Sequence, residues 1–278
     1  MSMLRPIVLA LGLLAGAAAQ GQIEVFLRLG HKQYLLGEAV TAEVEIRNQS
    51  GAPLIFGGTN RNARFAFDIE TDSGPLGTAP VEPPLAAVVV AVGQPVTRPV
   101  DLQTLYALHN PGRYKVRACV EWGENNYCSA RSFLQLVTGP EVAQLRFSPS
   151  GVASQLVKYS LRVLTRNDDD VREQRLFFCR ENQTTGAREA VVDLGPSLRY
   201  YDPVMQRDRA GRMHILHNSA PHRFAYSIVS ADDRLLSQEY FAADVQMPQM
   251  LNNDGTITVR GRAWRGGEDR RAPELLRP

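Results

Sequence analysis

Several groups of side chains have the types that could do chemistry, and their spacing says what each group can do. His214 and His217, with His222 nearby, form the close histidine group and would be the start of a zinc site. Residues three apart on a strand point to opposite faces, so the two imidazoles diverge and no metal ion is expected. Both are read as half-buried or surface histidines. Asn167-Asp168-Asp169-Asp170 offers oxygens to a calcium ion but lacks the alternating spacing and distal glutamate of a calcium loop, so it reads as a solvated turn. Asn252-Asn253-Asp254-Gly255 is likewise a turn former. There is no Gly-x-Ser-x-Gly elbow and no local signature joining a cysteine to a histidine, so no catalytic residue and no cofactor is assigned.

Two further groups are more specific. Tyr200-Tyr201, beside Asp202-Pro203, puts at least one ring outward at a strand end and is the candidate platform for a sugar or peptide ligand. Cys119 and Cys128 flank Trp122-Gly123-Glu124-Asn125. A two-residue hairpin turn at Gly123-Glu124 sets Trp122 opposite Asn125 and Cys119 opposite Cys128, close enough for a disulfide. So short a loop would stabilise by about 3 kcal/mol or less. Cys179, inside Leu176-Phe177-Phe178-Cys179, reads as a buried, inert thiol.

These residues sit in a chain that is 44% hydrophobic and 22% charged, a globular balance. Arg5, the apolar run Ile7 to Gly16 and Ala17-Ala18-Ala19 read as a signal peptide over residues 1–19, cut before Gln20. The run is too short to span a bilayer, and Ala17 stands where a lipoprotein box needs cysteine, so no membrane anchor is expected. The product is expected in the periplasm or outside the cell. Residues 20–140 hold 10 Lys+Arg against 11 Asp+Glu, and residues 141–278 hold 20 against 18. Neither half has the basic excess that draws a protein to nucleic acid.

From Ile23 to Val137 short strands recur: Ile23 to Leu29, Ala39 to Arg47, Pro53 to Phe56, Arg64 to Glu70, Leu85 to Val92, Arg113 to Trp122 and Tyr127 to Val137. Val40, Ala42, Val44 and Ile46 alternate with polar residues, as in a strand half-buried in a two-sheet sandwich. Tyr34-Leu35-Leu36-Gly37-Glu38, the alternating strand and Asn48-Gln49-Ser50-Gly51 together resemble bacterial immunoglobulin-like modules and macroglobulin-type domains. Asn110-Pro111-Gly112-Arg113-Tyr114 is similar to their tyrosine corner, which implies that the Tyr114 hydroxyl ties the loop back to the backbone. Val116 occupies the position of the usual inter-sheet cysteine. The resemblance implies an immunoglobulin-like β-sandwich over residues 21–139.

Beyond Thr138-Gly139-Pro140 the strand pattern continues over residues 141–265, ahead of a polar, mobile tail at 266–278. Asp208-Arg209-Ala210-Gly211-Arg212-Met213-His214-Ile215 parallels Asp254-Gly255-Thr256-Ile257-Thr258-Val259, with apolar residues two and four after each glycine and the glycines 44 apart. That spacing is close to one propeller blade of roughly 40–50 residues. The whole is expected to be all-β, an immunoglobulin-like sandwich followed by a β-meander or blade-like β domain resembling a partial β-propeller. The function this suggests is an exported, non-catalytic binding or scaffolding protein with a protein or carbohydrate ligand. The alternatives are a secreted hydrolase acting on polysaccharide or peptide, and a proteinase inhibitor.

Overall fold

A computed structural model describes residues 23–76, 87–106, 108–148, 156–168, 171–183, 188–243 and 246–265. The segments read as signal peptide and polar tail lie outside the described residues. The chain is all-β, with one short helix among the described residues. The first half carries β1 (Ile23–Leu29), β2 (Gln33–Leu35), β3 (Thr41–Asn48), β4 (Leu54–Phe56), β5 (Ala63–Thr71), β6 (Gly74–Pro75), β7 (Val88–Val90), β8 (Pro95–Asp101), α1 (Leu102–Tyr106), β9 (Gly112–Trp122), β10 (Asn125–Cys128) and β11 (Ser132–Val137). The second carries β12 (Glu141–Phe147), β13 (Val157–Asp168), β14 (Val171–Asn182), β15 (Arg188–Pro196), β16 (Val204–Arg207), β17 (Met213–Ala220), β18 (Arg223–Val229), β19 (Leu235–Ala242), β20 (Gln249–Asn253), β21 (Thr256–Arg260) and β22 (Arg262–Ala263).

In the first half a three-stranded sheet, β1-β3-β8, faces an eight-stranded one ordered β2-β11-β9-β5-β4-β7, with β10 on β9 and β6 on β5. Alternation sends Val44 and Ile46 of β3, Phe67 and Ile69 of β5 and Val116 and Val120 of β9 into one core between them, an arrangement compatible with a β-sandwich. β8 escaped the sequence pattern because it contains Pro95 and Pro99. It lies at the edge of its sheet, where a missing backbone N–H is tolerated.

β9 is central to the larger sheet, with β5 on one side and β10 and β11 on the other. Trp122 faces Asn125, Cys119 faces Cys128, and the two cysteines form a disulfide. Tyr127 to Val137 is not one strand as its sequence suggests. From Cys128 to Ser132 the chain advances four residues while β9 advances three, from Cys119 to Val116. Ser129 closes this bulge: its N–H donates to Ala118 O (2.9 Å) and its Oγ accepts from Ala118 N (3.1 Å). At the other end of β9 the Tyr114 hydroxyl donates to Asn110 O at 2.6 Å, as the tyrosine-corner resemblance implies.

In the second half β12-β13-β14-β15 form one antiparallel meander and β16-β17-β18-β19 another, the latter extended by β22; β20 and β21 make a separate hairpin. The two meanders stack on a core of Leu161, Val163, Leu176, Phe178, Met213 and Ile215. The far face of the second meander is covered in part by the hairpin, through Met247, Met250 and Val259 against Leu216, Phe224 and Tyr226. The two echoing glycines occupy equivalent places, in the β16–β17 and β20–β21 turns, both at positive φ (84° and 80°). The turns also meet, since Arg209 N donates to Gly255 O at 3.2 Å.

The first meander is covered on both faces. Phe177 and Phe178 are adjacent and fully buried, one packing toward the first half beside Leu35 and Leu164, the other toward β17. Each such burial stabilises by about 1.5–3 kcal/mol. At this junction Arg166, 4% exposed, pairs with Glu38, sits 5.4 Å over the Phe177 ring and lies 3.1 Å from His31 Nε2. His31 Nδ1 in turn meets Asp168 Oδ2 at 2.6 Å. Arg188 donates to Leu36 O (2.7 Å) and Thr138 O (2.8 Å), pinning the connection. Gly139 is required there, because a Cβ would lie 2.6 Å from Leu35 Cδ1 and 2.8 Å from Val163 O.

Two stability outcomes follow from these bonds. Tyr114→Phe removes one side-chain-to-backbone hydrogen bond and should lower unfolding free energy by about 0.5–1.5 kcal/mol in denaturant titration. Glu38→Ala removes the nearest carboxylate from a buried guanidinium, leaving it, among the described residues, only Asp193 within ion-pair reach at 4.0 Å, and should cost up to about 3 kcal/mol by the same measurement.

Candidate functional site

The loop of residues 197–203 links the two meanders and is tied to both. Ser197 N donates to Gln174 O of β14 (2.7 Å), and Leu198 N to Asn218 O of β17 (2.8 Å). This double tether holds the next residues, Tyr200 and Tyr201, at the surface, where they are 74% and 52% exposed. Exposed rings held by a fixed backbone lose little freedom when a ligand stacks on them.

Both tyrosines border a pocket of about 520 Å³, a size typical of small-ligand sites. Phe224 of β18 lines it, with the Tyr201 ring 5.7 Å away and tilted 42°. Pro221, His222, Ala243 and Met247 line it as well. Pro221 and His222 are the two residues between paired Ala220 and Arg223. His222 adopts φ 58°, as expected for a turn with proline first and a left-handed residue second. Ala243 N donates to His222 O at 2.8 Å, which holds the turn against the end of β19. Asn218, also in the lining, is 2% exposed; its Nδ2 donates to Ala220 O (2.8 Å) and Arg223 O (3.0 Å). Its Oδ1 has no hydrogen-bond partner among the described residues. The sequence-predicted tyrosine pair is thus brought together with an apolar pocket that sequence reasoning did not supply.

The histidines diverge as strand geometry requires, but both are buried, His214 at 2% and His217 at 1% exposure, contrary to their reading as half-buried or surface residues. β17 is covered on both faces, so neither orientation reaches solvent. His217 Nε2 donates to Pro196 O (3.1 Å). Burial pushes its pKa down to about 4, against the opposing effect of that carbonyl. His214 Nε2 donates to Asp208 Oδ2 (3.1 Å), which leaves Nδ1 to accept from the Tyr226 hydroxyl (2.5 Å). Asp208 also accepts from Arg212 N (2.8 Å) and Nε (2.7 Å). Burial works to raise the Asp208 carboxyl, but hydrogen bonds from His214 and Arg212 outweigh it and hold it at about 2. This Tyr–His–Asp chain was invisible in the sequence. His214 and Tyr226 are diagonal neighbours only once Leu216 is known to oppose Tyr226.

Among the described residues no three His, Cys, Asp or Glu side chains form a metal-ligand group. Asp168, from the candidate calcium turn, bonds to His31 and to Lys32 N; Asp169 and Asp170 lie outside the described residues. Asn252 Oδ1 accepts from Gly255 N (2.8 Å) inside its own turn. Cys179 is fully buried, and burial pushes its thiol up to about 12.

No family model matches the chain, and no curated protein does. Among solved structures it is similar to the Pseudomonas fluorescens alkylpurine DNA glycosylase AlkC bound to DNA containing an abasic site analog, at 20% identity and TM-score 0.29. That match covers 41% of this chain, which spans 30% of the glycosylase chain. It is also similar to Spo0M, the sporulation control protein from Bacillus subtilis, at 11% identity and TM-score 0.31, over 62% of this chain and 89% of that one. Likeness this slight transfers neither a fold name nor a function. The site's meaning rests on its own geometry.

The buried histidine sets a pH dependence. His217 takes up a proton near 6.5 when unfolded but only near 4 when folded. The unfolded chain therefore binds the extra proton between those values, and stability falls as pH drops from 6.5 to 4, by about 1.4 kcal/mol per unit. His217→Gln should flatten this slope in urea titrations across that window. An unchanged slope would show that other groups carry it.

Proposed function

We propose that this chain is an exported, non-catalytic binding protein whose ligand, a carbohydrate, seats on Tyr200 and Tyr201. The observation that carries the reading is the pair of exposed rings on a doubly tethered loop, bordering a pocket of about 520 Å³ lined by Phe224, Pro221 and Met247. A sugar ring presents an apolar C–H face to an aromatic plane and hydroxyls at its edge. Rigid tyrosines match it because they give large contact area at small entropic cost. Among the described residues the pocket lining is aromatic, apolar, one imidazole and one amide. Hydrolysis of a glycosidic bond by the usual route would call on a pair of carboxylates. Export is supported by the signal-like segment at 1–19 and by the Cys119–Cys128 disulfide, which belongs in an oxidising compartment.

In this reading the first half is immunoglobulin-like, which the Tyr114–Asn110 bond and two-sheet core support. The second is a short, open stack of blade-like meanders, supported by the equivalent turns at Gly211 and Gly255 and by two successive four-stranded meanders. Ligand sites at loops over the ends of such sheets suit a rigid scaffold with variable connections.

The test is titration calorimetry of the full chain with neutral galacto- and gluco-oligosaccharides. Tyr200→Ala and Tyr201→Ala should each weaken binding by about 1–2 kcal/mol, with thermal melting unchanged because both rings are exposed. Wild-type affinity that survives both substitutions would overturn the site, and release of new reducing ends would favour the hydrolase.

A further inference from the structure

The tyrosine pocket is one end of a longer furrow. Tyr200 also borders a second depression of about 390 Å³, lined by Thr165, Arg172, Gln174, Ser197 and Arg199. Thr165 and Gln174, directly opposed across β13 and β14, border in turn a third of about 430 Å³ that reaches Gln33 and Gly139 at the junction with the first half. Shared lining residues set the three depressions side by side, Tyr200 between the first two and Thr165 and Gln174 between the second and third, in a line from the junction to His222. A cavity for one compact molecule would not need this length, whereas a linear polymer would fill it.

Its chemistry changes along its course. Aromatic and apolar groups dominate at the Tyr200–Tyr201 end. In the middle, Arg172 and Arg199 are exposed, and neither makes an ion pair among the described residues. Most other arginines near the junction are held by carboxylates, as Arg162 and Arg188 are by Glu181 and Arg175 by Asp193. Asp202 lines the narrow adjoining cleft, which Arg199 also borders, and does not line this depression; it makes no ion pair with Arg199. Two guanidiniums in one concavity, without an ion pair among the described residues, suit a carboxylate, which a guanidinium grips with two parallel N–H bonds. The remaining lining is side-chain amide and hydroxyl, from Gln174, Thr165 and Ser197, groups suited to ring hydroxyls. A polypeptide would pair its backbone along an open strand edge or set acidic side chains on the arginines, but it would leave the aromatic platform without a ring to stack.

We propose that the furrow binds an acidic linear polysaccharide, with sugar rings stacked on Tyr200 and Tyr201 and a uronate carboxylate held in the depression that Arg172 and Arg199 line. The inference rests on the tyrosine-platform reading and adds the charge and length of the ligand to it. The probes are polygalacturonate, its methyl ester and poly-glutamate, measured against the full chain by affinity electrophoresis and calorimetry. Wild-type protein should bind polygalacturonate at least about tenfold more tightly than the ester, with the preference fading in high salt. An Arg172→Ala/Arg199→Ala double variant should lose that preference while keeping its affinity for the ester and its melting temperature, and Tyr200→Ala should weaken both polymers. Equal binding of polygalacturonate and ester by the wild type, or poly-glutamate bound as well as polygalacturonate, would overturn the acidic-polysaccharide assignment and leave the platform standing. Neutral oligosaccharides bound with no binding of polygalacturonate would do the same. No binding of any carbohydrate would overturn both readings.

Discussion

The structure depends on one constraint: the meander β12–β15 must be covered on both faces. Leu176-Phe177-Phe178-Cys179 is apolar at four successive positions, and a strand turns successive side chains to opposite sides. Phe178 therefore needs one cover and Phe177 another. The second meander supplies the first, and the β2 segment with Leu35 supplies the second. Arg166 makes the second contact specific. A guanidinium this buried is tolerated only where a carboxylate and a ring receive it, and Glu38 and Phe177 do so. Among the described residues the two halves share no paired strand, yet they are tied by charge, by Gly139's close approach and by Arg188 on two carbonyls.

That coverage positions the candidate site. With the two meanders stacked, the chain between them has to cross the ends of both sheets, and its first residues use backbone donors to reach Gln174 and Asn218. The crossing is short, so Tyr200 and Tyr201 have no room to fold back into either core, which the flanking strands already fill. Exposure of the two rings is thus a product of topology more than of their own polarity.

The all-β class, most strand positions and the opposed cysteines were legible because each rests on a local rule: alternation along Val40 to Ile46, a two-residue turn, a nine-residue cysteine separation. What was not legible required pairing between distant segments. The bulge at Ser129 depends on β9 meeting β10 and β11 in different registers. The Tyr226–His214–Asp208 chain depends on the register of β17 against β18, and the burial of both histidines depends on which sheets stack. Tyr200-Tyr201 was visible as a pair, but its pocket comes from β18, the Pro221–His222 turn and Met247, which no spacing connects.

The pocket lies where the cover over the second meander ends. Gly211 and Gly255 sit in equivalent turns, and Arg209 against Gly255 locks the two together. The β20–β21 hairpin has two strands, whereas the sheet it packs on has five. Its apolar residues reach Leu216 and Tyr226 but end at Met247. Among the described residues no strand lies over the remainder of that face, at Phe224 and the end of β17. Tyr201 leans over this gap from the opposite side. The hairpin covers Leu216 and Tyr226 and leaves Phe224 at its margin, so the partial cover of this face is the feature that leaves the pocket open.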